Sequence, residues 1–250
     1  MAGGFSPALF LESGMMIKDS SKFSCFFRAS FAEWVLATLL LAGCQSPPRN
    51  SLATHDSSPW AKDIATFQAM DVTNHPPVGG IVFVGSSSIR LWKTLAQDFP
   101  GLPVVNRGYG GSQLADSVRF SGEIITTYKP RQVVIYAGGN DINAGKAPEL
   151  VFGDFVALVK RIRSGAPQAR VCYISSAPNP ARWAQVEKVR RLNSLIKAYC
   201  RKQGCTFIDV FPLMLGSDGL PKPDIYVADR LHMNTNGYAI WREAVGPCLK

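Results

Sequence analysis

Short apolar segments and longer amphipathic segments alternate along most of the chain. Three of the short segments, residues 81–84, 103–106 and 132–136, are rich in valine and isoleucine and do not alternate with polar residues. Such runs are typical of strands that are buried on both faces of a parallel sheet. Two further short segments, residues 170–175 and 205–210, also fit strands. The pattern therefore predicts five parallel strands.

Between these strands, apolar residues recur at helical spacing. The segments concerned are residues 88–99, 114–128, 148–164, 180–203 and 234–245, together with residues 60–70 before the first strand. Prolines or glycines follow several of them, as expected at helix ends. Repeated strand and helix signals predict an α/β protein with a doubly wound, five-stranded parallel sheet in a three-layer α/β/α arrangement. We expect the segment 60–70 to pack on this sheet as an extra amino-terminal helix.

Glycines and small polar residues follow the first three predicted strands. They form three turns, at residues 85–88 (Gly-Ser-Ser-Ser), 108–112 (Gly-Tyr-Gly-Gly-Ser) and 138–141 (Gly-Gly-Asn-Asp). Ligands of open α/β sheets bind in the crevice at the carboxyl ends of the strands, so we expect these turns to converge on one site. The second turn hints at a dinucleotide fingerprint, but residues 112–114 supply no third glycine, and we expect no cofactor.

The chain has three histidines, and they differ in their surroundings. His55 lies in a polar segment, and His75 directly precedes two prolines. His232 follows Asp229 by three residues, ahead of the last predicted helix. A serine hydrolase needs a histidine to take the proton of its nucleophile and a carboxylate to orient that histidine. An Asp/His pair alone is a weak signal, and a serine-rich turn alone is usually a helix cap; their joint occurrence indicates catalysis.

Taken together, these segments resemble the four sequence blocks of the SGNH, or GDSL-type, family of hydrolases and esterases. The family is named for a Ser, a Gly, an Asn and a His, each of which lies in a separate block. The resemblance covers residues 81–241, with all blocks in the expected order. It implies a flavodoxin-like fold, a catalytic Ser87, Asp229 and His232, and an oxyanion hole formed by Ser87, Gly111 and Asn140. No cysteine spacing in the chain is typical of a zinc site, and we expect no metal.

One position departs from the family pattern. Ser86 stands where the family usually has an aspartate, so that Ser86, Ser87 and Ser88 are neighbours. The alignment makes Ser87 the nucleophile. The chemistry agrees, because a serine at a strand-to-helix turn places its hydroxyl and its backbone N–H at the positive end of the helix.

The amino-terminal part predicts export. Residues 31–43 are apolar, are interrupted by Glu33 and are too short to span a bilayer comfortably. They lead into Cys44, and Leu41 to Cys44 resembles the lipobox of bacterial lipoprotein signal peptides. The resemblance implies a lipidated Cys44 and, with Gln45 following, a place on the periplasmic face of the outer membrane. A plain secretory signal or an uncleaved anchor is the alternative. We therefore divide the chain into a signal peptide (1–43), a tether (44–59) and a hydrolase domain (60–250).

Export also bears on the remaining cysteines, since an oxidising compartment permits disulfides. Cys200 and Cys205 flank a short turn and can pair locally, while Cys205 with Cys248 is an equal alternative. Cys172 lies within a predicted strand and is expected to be a buried apolar residue.

The formal net charge is +9, and much of it is concentrated in the segment 180–203. This segment is either a solvated helix face or a contact with an anionic envelope surface. We expect no nucleic-acid partner, because the chain shows no recognition motif.

Two classes of function follow from these features. The first is an envelope serine esterase acting on a small-molecule, glycan or lipid ester, such as acetyl on a carbohydrate, or a lysolipid. The alternative is an inactive, lipid-anchored binding or scaffolding domain, and the completeness of all four blocks argues against it. Specificity is expected to depend on residues 179–183 and 216–227.

Overall fold

The computed structural model describes residues 58–250, which contain one five-stranded parallel sheet. The strands are β1 Ile81–Gly85, β2 Val104–Gly108, β3 Gln132–Tyr136, β4 Arg170–Ile174 and β5 Thr206–Ile208. They lie in the order β2-β1-β3-β4-β5, and each neighbouring pair is parallel. This is the flavodoxin-like order, in which the chain reverses direction between β1 and β3. The predicted doubly wound α/β fold is therefore confirmed.

Helices cover both faces of the sheet. They are α1 Ala61–Thr73, α2 Ser87–Arg90, α3 Leu95–Asp98, α4 Leu114–Arg119, α5 Ser121–Ile124, α6 Gly139–Asn143, α7 Pro148–Gly165, α8 Val186–Gln203 and α9 Thr235–Val245. Short 3-10 helices cover Thr126–Tyr128, Pro180–Gln185, Pro212–Met214, Pro223–Ile225 and Gly246–Cys248. Strand residues alternate between two hydrophobic cores: Val82 and Val84 pack with α4, α7 and α8, whereas Ile81 and Phe83 pack with α2, α3 and α9.

Three predicted helices are shorter or more broken than their apolar spacing suggests. The predicted helix 88–99 divides into α2 and α3, because Trp92 turns into the core and donates from its indole N–H to Asp98 at 2.6 Å. The predicted helix 114–128 divides at Phe120. There the Ser121 hydroxyl bonds the Val118 carbonyl at 2.9 Å and competes with the backbone pattern. The predicted helix 180–203 begins as a 3-10 helix and becomes α-helical at Val186.

The amino-terminal helix α1 packs on the sheet as predicted, through the buried Ile64. It is also held by a polar contact. Asp71 forms an ion pair with the buried Arg107 of β2 and accepts a 2.5 Å hydrogen bond from the Tyr128 hydroxyl. Arg107 in turn donates to that hydroxyl at 2.8 Å, so the three side chains satisfy one another inside the fold.

The cysteines lie on opposite faces of the sheet. Cys200 and Cys205 belong to the core with α7 and α8, and Cys172 and Cys248 to the core with α9. All four thiols are free, and Cys172 is buried as predicted. Cys205 and Cys248 thus lie in cores on opposite faces of the sheet, which disfavours their pairing, whereas the thiols of Cys200 and Cys205 are hydrogen-bonded to each other.

The predicted signal peptide, Cys44 and nearly all of the tether lie outside the described residues. Within residues 58–250, no helix combines the length and the apolar character that a membrane crossing requires.

Candidate active site

Ser87 is the first residue of α2, directly beyond the end of β1. The turn that places it there depends on Gly85, whose φ is +139°. A Cβ at this position would lie 1.9 Å from the carbonyl oxygen of Tyr136 on the neighbouring strand, so only glycine fits. Ser86 then caps α2 in an extended conformation and is buried, which leaves the Ser87 hydroxyl facing the cleft.

Asp229 and His232 arrive on a tight loop that precedes α9. One oxygen of Asp229, Oδ1, accepts the backbone N–H groups of Leu231 and His232, both at 2.9 Å. The loop also holds Arg230 in the left-handed conformation, with φ +58°. The aspartate therefore shapes the loop that carries the histidine, in addition to contacting the ring.

A continuous chain of hydrogen bonds joins the three predicted catalytic side chains. Asp229 Oδ2 lies 2.6 Å from His232 Nδ1, and His232 Nε2 lies 2.9 Å from Ser87 Oγ. An ionised carboxylate can only accept, so Nδ1 carries the proton and Nε2 is free to accept from the serine. This is the tautomer that a general base needs.

The ionisation of Asp229 supports this assignment. The backbone N–H of His232, together with the His232 ring and the backbone N–H of Leu231, lowers the pKa of Asp229 to about 2. The carboxylate is therefore charged throughout the pH range in which esterases work, as the acidic member of a catalytic triad must be.

The predicted oxyanion donors lie on the neighbouring turns. Gly111 has φ +78°, and the Asn140 side chain donates from Nδ2 to the carbonyl of the adjacent Ser112 at 3.0 Å. Nδ2 carries two hydrogens, so one remains for a substrate. Within residues 58–250, the backbone N–H groups of Ser87 and Gly111 donate to no protein acceptor. Ser87 and Asn140 line the same cavity. Gly111 is not among the lining residues, and it is linked to Asn140 through the neighbouring Ser112. Unpaired N–H groups together with an amide donor are what an oxyanion hole requires.

A buried carboxylate of the 138–141 turn, to which the sequence patterns gave no role, connects these turns. Asp141 is fully buried and accepts the backbone N–H of Leu114, at 3.2 and 3.3 Å to its two oxygens. Lys146 forms a 3.1 Å ion pair with the same carboxylate. Burial raises the pKa of Asp141, and the Lys146 ammonium opposes that shift. Asp141 therefore holds the Asn140 turn against the segment that follows Gly111.

Arg182 is a second residue that the sequence patterns missed, although it falls in the predicted specificity segment 179–183. Its guanidinium donates from Nη1 to Asn140 Oδ1 at 3.0 Å and to the Gly139 carbonyl at 3.3 Å. Nothing in the local sequence distinguishes it from the other basic residues of the segment 180–203. Only the contact with Asn140 does so.

The three serines and His232 open into a cavity of about 40 Å³. Its other walls include Tyr136, Arg182, Trp183, Val186, Val189, Phe211, Met214 and Tyr226. The predicted specificity segment 179–183 contributes to these walls, and the segment 216–227 does so through Tyr226. Among the described residues, no group of three His, Cys, Asp or Glu side chains is placed to hold a metal ion.

Comparison with known proteins places this geometry in a family. Residues 82–240 match the model of the GDSL-like lipase/acylhydrolase family. The chain is 32% identical over 172 residues to the platelet-activating factor acetylhydrolase IB subunit alpha1 of Bos taurus, covering 63% of this chain and 69% of that relative. It is 30% identical over 173 residues to the alpha2 subunit of Gallus gallus, covering 64% of this chain and 71% of that relative.

Solved structures agree on the fold. A GDSL-like lipase of Bacteroides thetaiotaomicron superposes with a TM-score of 0.65 at 21% identity, covering 74% of this chain and 96% of that chain. An acetyl-xylooligosaccharide esterase of Geobacillus superposes with a TM-score of 0.55 at 16% identity, covering 68% of this chain and 93% of that chain. Since the family model spans more than half of the sequence, this chain belongs to the GDSL-like lipase/acylhydrolase family and is a carboxylic ester hydrolase.

Proposed function

We propose that this protein is a serine esterase that hydrolyses either a short acyl ester, such as acetyl on a carbohydrate, or a lysolipid, through an acyl-enzyme on Ser87. The observation that carries the proposal is the continuous hydrogen-bond chain from Ser87 through His232 to Asp229. A triad of this geometry is the means by which hydrolases turn a weakly nucleophilic hydroxyl into an attacking group.

The reaction follows from the positions of these atoms. Ser87 Oγ attacks the carbonyl carbon of the ester, and its proton passes to His232 Nε2, 2.9 Å away. The negative charge that develops on the carbonyl oxygen is stabilised by the N–H groups of Ser87, Gly111 and Asn140, each contributing about 3 kcal/mol. His232 returns the proton to the departing alkoxide as its bond to the acyl carbon breaks. Water then attacks the acyl-enzyme in the same way and releases the acid and the free serine.

The walls of the cavity favour a short acyl group. The space beside Ser87 that is accessible to water measures about 40 Å³ and is partly open to solvent. The large side chains of Trp183, Phe211 and Met214 among its walls limit how far a longer chain can extend.

The names of similar proteins point the same way. The bovine relative is named an acetylhydrolase of platelet-activating factor, and the Geobacillus structure is named an esterase of acetyl-xylooligosaccharides. The two names share an acetyl ester and differ in the alcohol. This supports acetyl as the acyl group and keeps a lipid and a carbohydrate as the candidate alcohols.

A chain-length series of neutral aryl esters tests the proposal on the soluble body from residue 51 onwards. We expect kcat/KM to be highest for the acetyl ester and to fall once the acyl chain becomes too long for the cavity. The fall should be about tenfold or more, because one methylene that does not fit lowers kcat/KM by about that factor. The Ser87→Ala variant is the matched control for background hydrolysis. A flat profile, or one that rises toward long chains, would instead indicate a lipase.

We also propose that the enzyme is anchored in the bacterial envelope through a lipidated Cys44, on the periplasmic face of the outer membrane. The lipobox resemblance of residues 41–44 supports this, and each methylene of the attached acyl chains adds about 0.8 kcal/mol of membrane affinity. Mass spectrometry of the protein expressed in bacteria is the test. We expect a lipid-modified amino terminus at Cys44, and loss of the modification in Cys44→Ser with hydrolysis by the domain unchanged. An unmodified Cys44 would refute the anchor alone.

A further inference from the structure

The Asn140 side chain is held at both ends of its amide. Its carbonyl oxygen, Oδ1, accepts a 3.0 Å hydrogen bond from Arg182 Nη1. Its nitrogen, Nδ2, donates a 3.0 Å hydrogen bond to the carbonyl of Ser112. The same Arg182 nitrogen also donates to the carbonyl of Gly139 at 3.3 Å, so the guanidinium spans the turn that carries Asn140.

These contacts allow only one orientation of the amide. A guanidinium only donates, and a backbone carbonyl only accepts. If the amide were rotated by half a turn, its NH₂ group would face Arg182 and its oxygen would face the carbonyl of Ser112, and both hydrogen bonds would be lost. Arg182 therefore contributes to keeping Nδ2, with its second hydrogen, on the side of the oxyanion hole.

The charge of Arg182 acts in the same direction. The guanidinium is half-buried, and burial lowers its pKa. Within the described part of the chain it forms no ion pair with a carboxylate, and no acidic residue lines the cavity. Asn140 Oδ1 is thus its side-chain partner. The positively charged guanidinium donates to the amide oxygen and so polarises the amide, which makes its N–H groups stronger hydrogen-bond donors. This effect is larger in a site that is shielded from bulk water.

The segment that carries Arg182 is itself fixed to the catalytic loop. Arg182 lies in the 3-10 helix Pro180–Gln185, where its backbone N–H is capped by Asn179 Oδ1 at 2.9 Å. The neighbouring Ala181 donates its N–H to the carbonyl of Arg230 at 3.1 Å. The same short segment therefore touches the loop of His232 and the turn of Asn140, which are the two halves of the site.

We propose that Arg182 is a positioning residue of the oxyanion hole, which orients and polarises the Asn140 amide toward the developing charge. The proposal rests on the proposed function, since it assigns a task within the same reaction. Arg182 touches no reacting atom in this scheme and acts through Asn140 alone.

A double-mutant cycle on a neutral aryl acetate, with the full chain, tests this. We expect Arg182→Met to lower kcat by about 10-fold or more with little change in KM, because the lost interaction matters only in the transition state. Asn140→Ala should lower kcat by about 10²–10³-fold. The double variant should match Asn140→Ala within about twofold, because residues that act as a unit are not additive. Arg182→Lys should restore part of the rate.

The control is Arg191→Met, which removes an exposed cation of α8 that pairs with Glu149 and does not line the cavity. It should leave kcat and KM unchanged. Thermal unfolding of each variant shows whether it is folded, and Arg182→Lys completes the cycle should Arg182→Met fail to fold.

Three results would overturn the proposal. An equal loss from Arg182→Met in the wild-type and the Asn140→Ala backgrounds would mean that Arg182 acts independently of Asn140. A rise in KM confined to anionic esters, with kcat unchanged, would mean that the cation binds substrate. A fully active Asn140→Ala would remove the group through which Arg182 is said to act. In each case an inactive Ser87→Ala would still support the proposed esterase, so the two failures are distinguishable.

Discussion

The Nε2 atom of His232 lies 2.9 Å from the Oγ atom of Ser87, across 145 residues of sequence. The two residues are brought together because Ser87 begins α2 just beyond the end of β1 and the last loop before α9 returns to the same edge of the sheet. Neither Ser86, which is buried, nor Ser88 makes a hydrogen bond with the histidine.

This contact predicts which serine is the nucleophile. We expect Ser87→Ala to abolish turnover, because only the Ser87 hydroxyl can pass its proton to His232. Ser86→Ala and Ser88→Ala are matched controls and should retain most of the activity. Mass spectrometry after treatment with a fluorophosphonate should find the label on Ser87. A label on either neighbour would show that the assignment is wrong.

Substitution of the general base should reduce activity more than substitution of the residue that orients it. His232→Ala should be as inactive as Ser87→Ala, since the two act as a unit. Within the described residues, His232 Nδ1 has Asp229 as its hydrogen-bond partner, so we expect Asp229→Ala to lower kcat by about 10⁴-fold, at a largely unchanged KM. Steady-state kinetics on an aryl acetate measure both. Near-normal kcat in His232→Ala would rule out the mechanism.

Asp229 should also contribute to stability in a pH-dependent way. Its pKa is lowered from the ordinary 3.8 to about 2. A lowered carboxyl pKa stabilises the fold above the unfolded pKa, and that contribution is lost as the pH falls through the folded pKa. The stability difference between the wild type and Asp229→Ala should therefore be constant above about pH 5 and shrink between pH 3.8 and about 2. Denaturant unfolding across this range measures it, and an unchanging difference would contradict the shift.

The attachment of α1 gives a stability prediction away from the site. Asp71→Ala leaves the buried Arg107 without its carboxylate, and breaking such a pair costs about 3–5 kcal/mol of unfolding free energy. Asp209→Ala is the control, since its pair with Lys197 is exposed, and exposed pairs contribute about 0–1 kcal/mol. Denaturant unfolding compares the two. Equal effects would mean that the Asp71 contact does not hold α1 to the sheet.

The cysteines predict a specific response to oxidation. A hydrogen bond from the Cys200 thiol lowers the pKa of Cys205, and the nearby Arg163 adds to this. Cys205 is thus the more readily ionised, and the more reactive, thiol of the pair. After mild oxidation with diamide, peptide mapping without reduction should show a bridge between Cys200 and Cys205. A bridge from Cys205 to Cys248 would contradict the separation of these residues by the sheet.

Much of the scaffold can be predicted from the sequence, because the patterns that indicate strands and helices are local. Buried parallel strands are runs of apolar residues, and all five predicted strands are present with boundaries shifted by at most two residues. α7 and α9 also match their predicted segments, since a proline or an asparagine begins them and the helical spacing is unbroken. The broken helices do not match, because helical spacing does not reveal that Trp92 turns inward or that Ser121 bonds the backbone.

The residues of the candidate site likewise divide into those that the sequence predicts and those that only the structure identifies. By itself, the sequence determined the α/β class with its five parallel strands, the four blocks and the candidates Ser87, Gly111, Asn140, Asp229 and His232, because each candidate lies in a short local motif. Only the tertiary structure decided that Asp141 supports the Asn140 turn, that Arg182 contacts the Asn140 amide and that Cys205 and Cys248 lie on opposite faces of the sheet. The physical reason is that these contacts join side chains from separate elements, and their partners are chosen by how the helices pack on the sheet.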